Sequence, residues 1–374
     1  MSNSLLSNQS IFDESCLDLM TQNQQKSNLS AKSRSDILSP PPKEILCEVL
    51  NLSDISVEWL AGDGSDRCYY RLSSDELNET LVLMQLSQSD AKTLQDDGYD
   101  WIKISTLLHS KNVPVPRPVK VIADYAALII EDYGDIMLES KVMTLSESKD
   151  LKTIKSLYKK CFNLIVDMLQ IIPDSEQVWT QRSFDQEKYS WELNFFKKQY
   201  LEQVLNISFS PKQTQQFEDE VTQISSFLAS RSKYFVHRDF HSRNIMCRNT
   251  DLALIDFQDA RLGAASYDLV SLVFDNYLPF SLDFREELLT DGVNSLATIV
   301  DAKYLEDEIK AVILQRQFKA IGTYGFLTKT KMRGDYLRYV SPALSTLTPK
   351  FVADARWPFL AEELPALMKK SLPI

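Results

Sequence analysis

An α+β fold of two lobes, a small strand-rich one followed by a large and mainly helical one, is what this chain predicts. Three observations carry it. β-Branched and aromatic residues gather into short runs between residues 57 and 134. From residue 151 onward apolar residues recur at three- and four-residue spacing. A Pro40-Pro41-Pro42 stop precedes both regions and marks a change of composition. Residues 1–42 read as a disordered tail, because Ser, Asn and Gln dominate and aromatics are nearly absent. Residues 43–131 are then the strand-rich lobe and 132–374 the helical one.

In the first lobe, Val57-Glu58-Trp59-Leu60, Cys68-Tyr69-Tyr70-Arg71-Leu72 and Leu81-Val82-Leu83-Met84-Gln85-Leu86 are three strand-like runs. The first two flank Gly62-Asp63-Gly64-Ser65, a turn whose backbone N–H groups at Gly64 and Ser65 suit an anion; a simple tight turn explains the glycines equally well. Residues 99–108 predict a helix, and Val113-Pro114-Val115-Pro116-Arg117-Pro118 an extended crossing. Ala127-Leu128-Ile129-Ile130-Glu131-Asp132-Tyr133-Gly134 reads as a buried strand ending in a glycine turn.

In the second lobe, residues 151–172 place Ile154, Leu157, Cys161, Leu164, Ile165, Met168 and Leu169 on one helical face. Further helices are expected over residues 190–205, 211–230, 266–275 and 306–327, with their Phe, Tyr and Leu stripes in the core.

Composition excludes several classes of function. With 44% hydrophobic and 25% charged residues among 374, the chain can bury a large core. It has no apolar run of about 18 residues or more, so no membrane insertion is expected, and residues 1–20 lack the pattern of a secretory signal. The five cysteines are scattered and odd in number, with neither metal nor disulfide spacing, which suits a reducing cytoplasm. A net charge of -11 argues against nucleic acid as a partner, and no protein partner is implied.

The chemistry is concentrated in Val236-His237-Arg238-Asp239-Phe240-His241-Ser242-Arg243-Asn244, followed by Leu254-Ile255-Asp256-Phe257. An Asp, an Asn five residues on and a second Asp after a short apolar strand are what ATP-dependent phosphoryl transfer needs. Asp239 receives the proton of an acceptor hydroxyl, while Asn244 and Asp256 offer oxygen to Mg2+. His237 reads as a packed structural ring and His241 as a residue shaping the loop. The strand-rich lobe before a helical one then reads as protein-kinase-like, with nucleotide in the cleft and the backbone from Glu131 to Tyr133 meeting adenine. Protein kinases carry a lysine on the third strand, but here that strand reads Leu83-Met84-Gln85. Arg71, or Arg67, is the candidate replacement.

These motifs, with Glu131-Asp132-Tyr133-Gly134-Asp135, Tyr267-Asp268-Leu269-Val270-Ser271-Leu272 and Leu314-Gln315-Arg316-Gln317-Phe318-Lys319-Ala320-Ile321-Gly322, resemble the aminoglycoside phosphotransferase and choline kinase superfamily. Within it the chain looks most like the bacterial anomeric kinases of N-acetylmuramate and N-acetylglucosamine, used in cell-wall (peptidoglycan) sugar recycling. The resemblance runs from about residue 62 to about residue 336. It implies Asp239 as catalytic base, Asn244 and Asp256 as magnesium ligands, and transfer of the ATP γ-phosphate to the C1 hydroxyl of an N-acetylated amino sugar. It also marks Arg243, Gln258 and Asp259 as substrate-site candidates, with Glu192 and Arg316 behind them. An internal role is open for each of these, including an Arg243–Asp268 pair. Two other readings stand beside the sugar kinase: the same chemistry on an aminoglycoside, choline or homoserine, and a nucleotide-binding regulator without turnover.

Overall fold

The computed structural model describes residues 39–62, 67–95, 98–231, 233–249 and 251–371. The expected tail therefore lies, up to residue 38, outside the described residues, as do Gly64 and Ser65. The fold is α+β and protein-kinase-like, a five-stranded N-terminal sheet followed by a mostly helical remainder. Among the described residues no helix is long and apolar enough to cross a membrane.

The chain divides into two compact units, one running to residue 136 and taking in 245–258, the other built from 137–244 and from 259 onward. The boundary thus falls five residues beyond the expected 131, and a segment expected with the helical lobe groups with the sheet.

In the first unit α1 (Lys43–Leu50) precedes β1 (Ser56–Gly62), β2 (Cys68–Ser73) and β3 (Leu81–Gln85). Two helices, α2 (Gln88–Gln95) and α3 (Asp100–Ser110), lead to β4 (Pro118–Ile122) and β5 (Ala127–Glu131). The sheet is antiparallel throughout, in the order β1-β2-β3-β5-β4. β3 is central, which is why its apolar run does not alternate: Val82, Leu83, Met84 and Gln85 are all buried. Leu72, Leu83 and Ile129 pack with Leu46 of α1 into one cluster, each such side chain contributing about 1.5–3 kcal/mol on burial. Gln85 is tolerated inside because its Nε2 donates to the carbonyls of Tyr125 and Ala126, at 2.8 and 3.2 Å.

The chain continues through α4 (Leu138–Glu147), α5 (Leu151–Leu169), α6 (Gln186–Phe196), α7 (Pro211–Ala229) and β6 (Tyr234–Val236). Next come the hairpin strands β7 (Ile245–Arg248) and β8 (Asp251–Leu254), then β9 (Arg261–Gly263), which pairs with β6. The hairpin belongs with the sheet because Cys247 donates its N–H to the Ile136 carbonyl at 2.7 Å, and Leu254 to that of Pro114 at 2.8 Å. Helices α8 (Tyr267–Val273), α9 (Leu282–Leu296), α10 (Ala302–Lys329), α11 (Val340–Thr346), α12 (Pro349–Val352) and α13 (Leu364–Ser371) complete the second unit.

Local signals explain the long helices. Asp150 caps α5 by accepting the Thr153 N–H at 3.0 Å, and the seven apolar positions read from its sequence are all buried. Ser210 and Gln213 form a capping box around Pro211 at the start of α7. The single helix expected over residues 190–205 is instead α6 followed by a π-helical turn, Lys197–Glu202. There α10 crosses closely. A Cβ on Gly322 would sit 2.7 Å from the Phe196 Cα, and one on Gly325 would sit 2.6 Å from the Gln199 carbonyl oxygen.

Candidate active site

The loop after β6 carries His237 to Asn244, and its shape comes from buried polar anchors. Asp268, at the start of α8 and 2% exposed, accepts the His237 N–H at 2.6 Å and the Arg238 N–H at 3.1 Å. Asp275 accepts from the Ser242 N–H at 2.9 Å and from the Ser242 hydroxyl at 2.5 Å. Between these clamps Arg238 adopts φ +82°, a conformation costing about 1–3 kcal/mol that persists only when its surroundings over-determine it. His237 is buried edge-on against Phe240. His241 sits edge-on to Tyr277, and burial holds its imidazole below the ordinary value despite Asp275 and Asp239.

Asp239 emerges from this loop into a ring of cations. Lys319 Nζ on α10 lies 3.0 Å from its Oδ1, Arg316 Nη1 4.0 Å from the same oxygen, and Arg238 Nε 3.7 Å from Oδ2. Burial alone would raise this carboxyl, but Lys319, Arg238 and Arg316 outweigh it and hold it well below the usual range. Burial also pulls the Lys319 ammonium below its ordinary value, against the attraction of Asp239. Asp239, Arg316 and Lys319 line a cavity of about 170 Å³ with Asn276, Gln317 and Tyr324. It is smaller than the ~300–1,000 Å³ of pockets for drug-sized ligands.

Asn244 closes the loop, donating Nδ2 to the Asp239 carbonyl at 2.9 Å, with His241 Nε2 3.4 Å away. Its amide hydrogens are thus turned inward, and its Oδ1 is left for a hard cation. In the other unit Asp256 follows β8 in the left-handed region, φ +63°, which Asp tolerates better than most residues. The neighbouring Phe257 is buried against Trp101, ring centroids 5.1 Å apart. Gln258 Nε2 donates to Asp256 Oδ1 at 2.6 Å, leaving Oδ2 for a cation. Among the described residues no group of three or more His, Cys, Asp or Glu is placed to hold a metal. Asp256 and Asn244 nonetheless each present, within their own units, the kind of oxygen that magnesium takes, a carboxylate in one case and an amide in the other.

Other expected site residues are already engaged. Arg71, expected to offer its charge to nucleotide, forks onto Asp132 at 2.6 Å and Asp135 at 2.8 Å, so two carboxylates already match it. Glu131 is ion-paired to Arg117 at 2.6 Å, and its N–H goes to the Arg117 carbonyl at 3.1 Å. Tyr133, half-buried, follows two residues beyond β5, and burial raises its phenol. Arg243 does not pair with Asp268. It is held bidentately by Glu139 of α4 at 2.8 and 2.7 Å, while Asp268 is taken up by the loop backbone. Asp259 pairs with Arg238 at 2.8 Å. Glu192 is buried and accepts from Gln315 at 2.6 Å.

A model of the phosphotransferase enzyme family matches residues 56–297, well over half the chain. The chain belongs to this family. Among its relatives, an N-acetylmuramate/N-acetylglucosamine kinase of Neisseria meningitidis is 24% identical over 236 residues, 63% of this chain and 66% of that protein. The match spans just under two thirds of the Neisseria protein's length. A Pseudomonas aeruginosa protein of the same name is 25% identical over 306 residues, 76% of this chain and 82% of its own. The ADP-bound aminoglycoside phosphotransferase APH(2'')-Ib superposes with a TM-score of 0.55 at 16% identity, covering 83% of this chain and 98% of that one. At that identity the likeness shows the fold alone.

Two residues of this family member escaped the sequence reading. Lys319 lies 80 positions from Asp239 and beside it in space. A signal was present: Arg316 and Lys319 stand three apart on one face of a helix, and buried cations require a carboxylate. Asp268 stood in a quoted motif, but nothing in the chain announces that its carboxylate serves backbone donors.

Proposed function

We propose that the protein transfers the γ-phosphoryl group of ATP to the C1 hydroxyl of an N-acetylated amino sugar, N-acetylmuramate or N-acetylglucosamine. The reading is supported by kinship, at 24% and 25% identity, to two kinases of that name. The observation that carries it is Asp239, a carboxylate kept ionised by its cations and lining a small cavity, five residues before Asn244.

In this reading the acceptor hydroxyl donates its hydrogen bond to Asp239. As its oxygen bonds to the γ-phosphorus, the bond from that phosphorus to the β–γ bridging oxygen breaks, ADP leaves, and the proton passes to Asp239. A carboxylate held so low is a weak base. It suffices where the transition state is loose and the proton moves late, and an anomeric hydroxyl, more acidic than an ordinary alcohol, asks less of it. Asn244 and Asp256 are each proposed as oxygen ligands for magnesium, which would neutralise phosphate charge. For nucleotide, the proposed contacts are the backbone at Tyr133 and the residues Gly64 and Ser65. Glu131 and Arg71 serve mainly through their own ion pairs. Gln258 is proposed to orient Asp256, Asp259 to hold Arg238, Arg243 to brace the loop, and Glu192 to anchor Gln315. The proposed setting is the cytoplasm, where ATP is available.

The test incubates purified protein with ATP and magnesium against N-acetylglucosamine, N-acetylmuramate, choline, homoserine and kanamycin, following ADP release and the product by phosphorus NMR. A sugar 1-phosphate is expected. Phosphorylation of only a cationic acceptor would overturn the substrate class.

A further inference from the structure

The wall of the Asp239 cavity has a charge pattern that bears on which acceptors it takes. Its formal charges are Asp239, Asp275, Arg316 and Lys319, two of each sign. They are not equally available. Asp275 is consumed by the Ser242 N–H and hydroxyl on one oxygen and by the Tyr277 N–H, at 2.8 Å, on the other. The Lys319 ammonium, 18% exposed, makes one hydrogen bond, to Asp239, which leaves two donors for a ligand in the cavity it lines. Arg316 Nε is buried with no partner among the described residues. Asn276 Oδ1 is a buried acceptor without a partner among the described residues, but it is uncharged; beyond Asp239, the charged groups still available on this wall are cationic donors, the reverse of what an amine or quaternary ammonium requires.

The aromatic residues agree. A tyrosine cluster stands at this cavity, and tyrosine faces are what cages for quaternary ammonium use. Here those faces are already covered: Arg243 lies 3.9 Å from the Tyr277 ring centroid, Arg333 4.7 Å from that of Tyr336, and Arg338 4.8 Å from that of Tyr339. Tyr324, which lines the cavity, has no cation over its ring among the described residues. A ring of that kind beside Asn276 and Gln317 suits the apolar face and hydroxyl edge of a sugar.

We infer that Lys319, with Arg316, is the specificity-determining element of the acceptor site: it selects uncharged and anionic hydroxyl acceptors and rejects cationic ones, with Lys319 donating to an acceptor oxygen. The inference rests on the reading of Asp239 as the base at this cavity. Like charges brought together in a poorly solvated site repel strongly, so discrimination on the order of tenfold or more is expected from Lys319 alone.

The test compares kcat/KM for acceptors paired by charge: N-acetylmuramate, N-acetylglucosamine and glucosamine, and in addition choline against the uncharged 3,3-dimethylbutanol. Each is measured with the wild type, Lys319→Gln, Lys319→Arg and Thr323→Asp. The ratio between two acceptors on one variant cancels any loss common to both, including a displaced Asp239. The wild type is expected to prefer the acetylated sugars over glucosamine, Lys319→Gln to compress that preference by about tenfold, and Lys319→Arg to restore it. Thr323→Asp adds a carboxylate to the same wall one helical turn from Lys319, where it offsets that ammonium while leaving the lysine in place, and should shift the ratio the same way. Silence with every sugar but turnover of dimethylbutanol over choline would overturn the amino-sugar reading and leave the charge rule standing. Sugar turnover with an unchanged ratio in both Lys319→Gln and Thr323→Asp would overturn the charge rule alone. Silence with all acceptors would overturn both.

Discussion

Asp268→Asn tests how the loop that carries Asp239 is held. The wild-type carboxylate accepts two backbone N–H groups, from His237 at 2.6 Å and Arg238 at 3.1 Å. Hydrogen bonds to a charged acceptor contribute about 1.5–3 kcal/mol each, so losing both would cost about 3–6 kcal/mol, much of a total stability of about 5–15. Asparagine keeps one acceptor oxygen and turns an NH2 toward the second donor, so about half of that loss, ~1.5–3 kcal/mol, is expected. Activity should fall further than stability. Arg238 is held at φ +82° immediately before Asp239, and displacement of a reacting group by about 1 Å can cost about 10²-fold in rate. The assay is urea unfolding at pH 8, with kcat measured on the same preparation. Burial pushes the Asp268 carboxyl up to about 7, against the two backbone N–H groups. An acid raised in this way from its ordinary 3.8 binds its proton more tightly when folded. Its stabilisation is fully present below about pH 3.8 and is lost as the pH rises through about 7. The wild type should lose stability across that window relative to Asp268→Asn. An Asn variant with the wild-type urea midpoint, kcat and pH slope would refute the clamp.

Asp239→Asn should retain the fold and lose about 10²–10⁴ in kcat, the typical contribution of a positioned base; near-normal turnover would remove Asp239 from that role. Arg71→Ala leaves Asp132, whose side chain is 3% exposed, without its guanidinium; a loss of about 2–4 kcal/mol in urea unfolding is expected, with the KM for ATP changing little. A large rise in that KM at unchanged stability would return Arg71 to the nucleotide. Gly322→Ala drives a Cβ to 2.7 Å from the Phe196 backbone, where nothing flexible can yield, so a loss of about 1–3 kcal/mol in urea unfolding is expected; a neutral result would mean that α6 and α10 can part at no cost.

What could be read without coordinates was local. Asp239 and Asn244 lie five residues apart on one loop, so their spacing expresses their geometry directly. The strands β1, β2, β3 and β5 and the helices α5, α7 and α10 announce themselves because periodicity and caps are properties of a short window, as at Asp150 and Ser210. α4 starts without a side-chain cap, and α9 was passed over although Ser281 caps it. The π-helical turn after Phe196 was invisible, because it appears where another helix crosses at Gly322 and Gly325.

The sequence by itself determined the phosphotransferase class and the α+β layout, since each is written within short stretches of neighbouring residues. Tertiary structure alone decided which charges meet. Lys319 comes to Asp239 across 80 positions, Glu139 to Arg243 across 104, and Asp132 to Arg71 across 61. Those pairings settle that the Asp239 carboxyl is held low and which arginines are already engaged. They follow from helix and strand packing that folds distant segments together, and no local pattern encodes them.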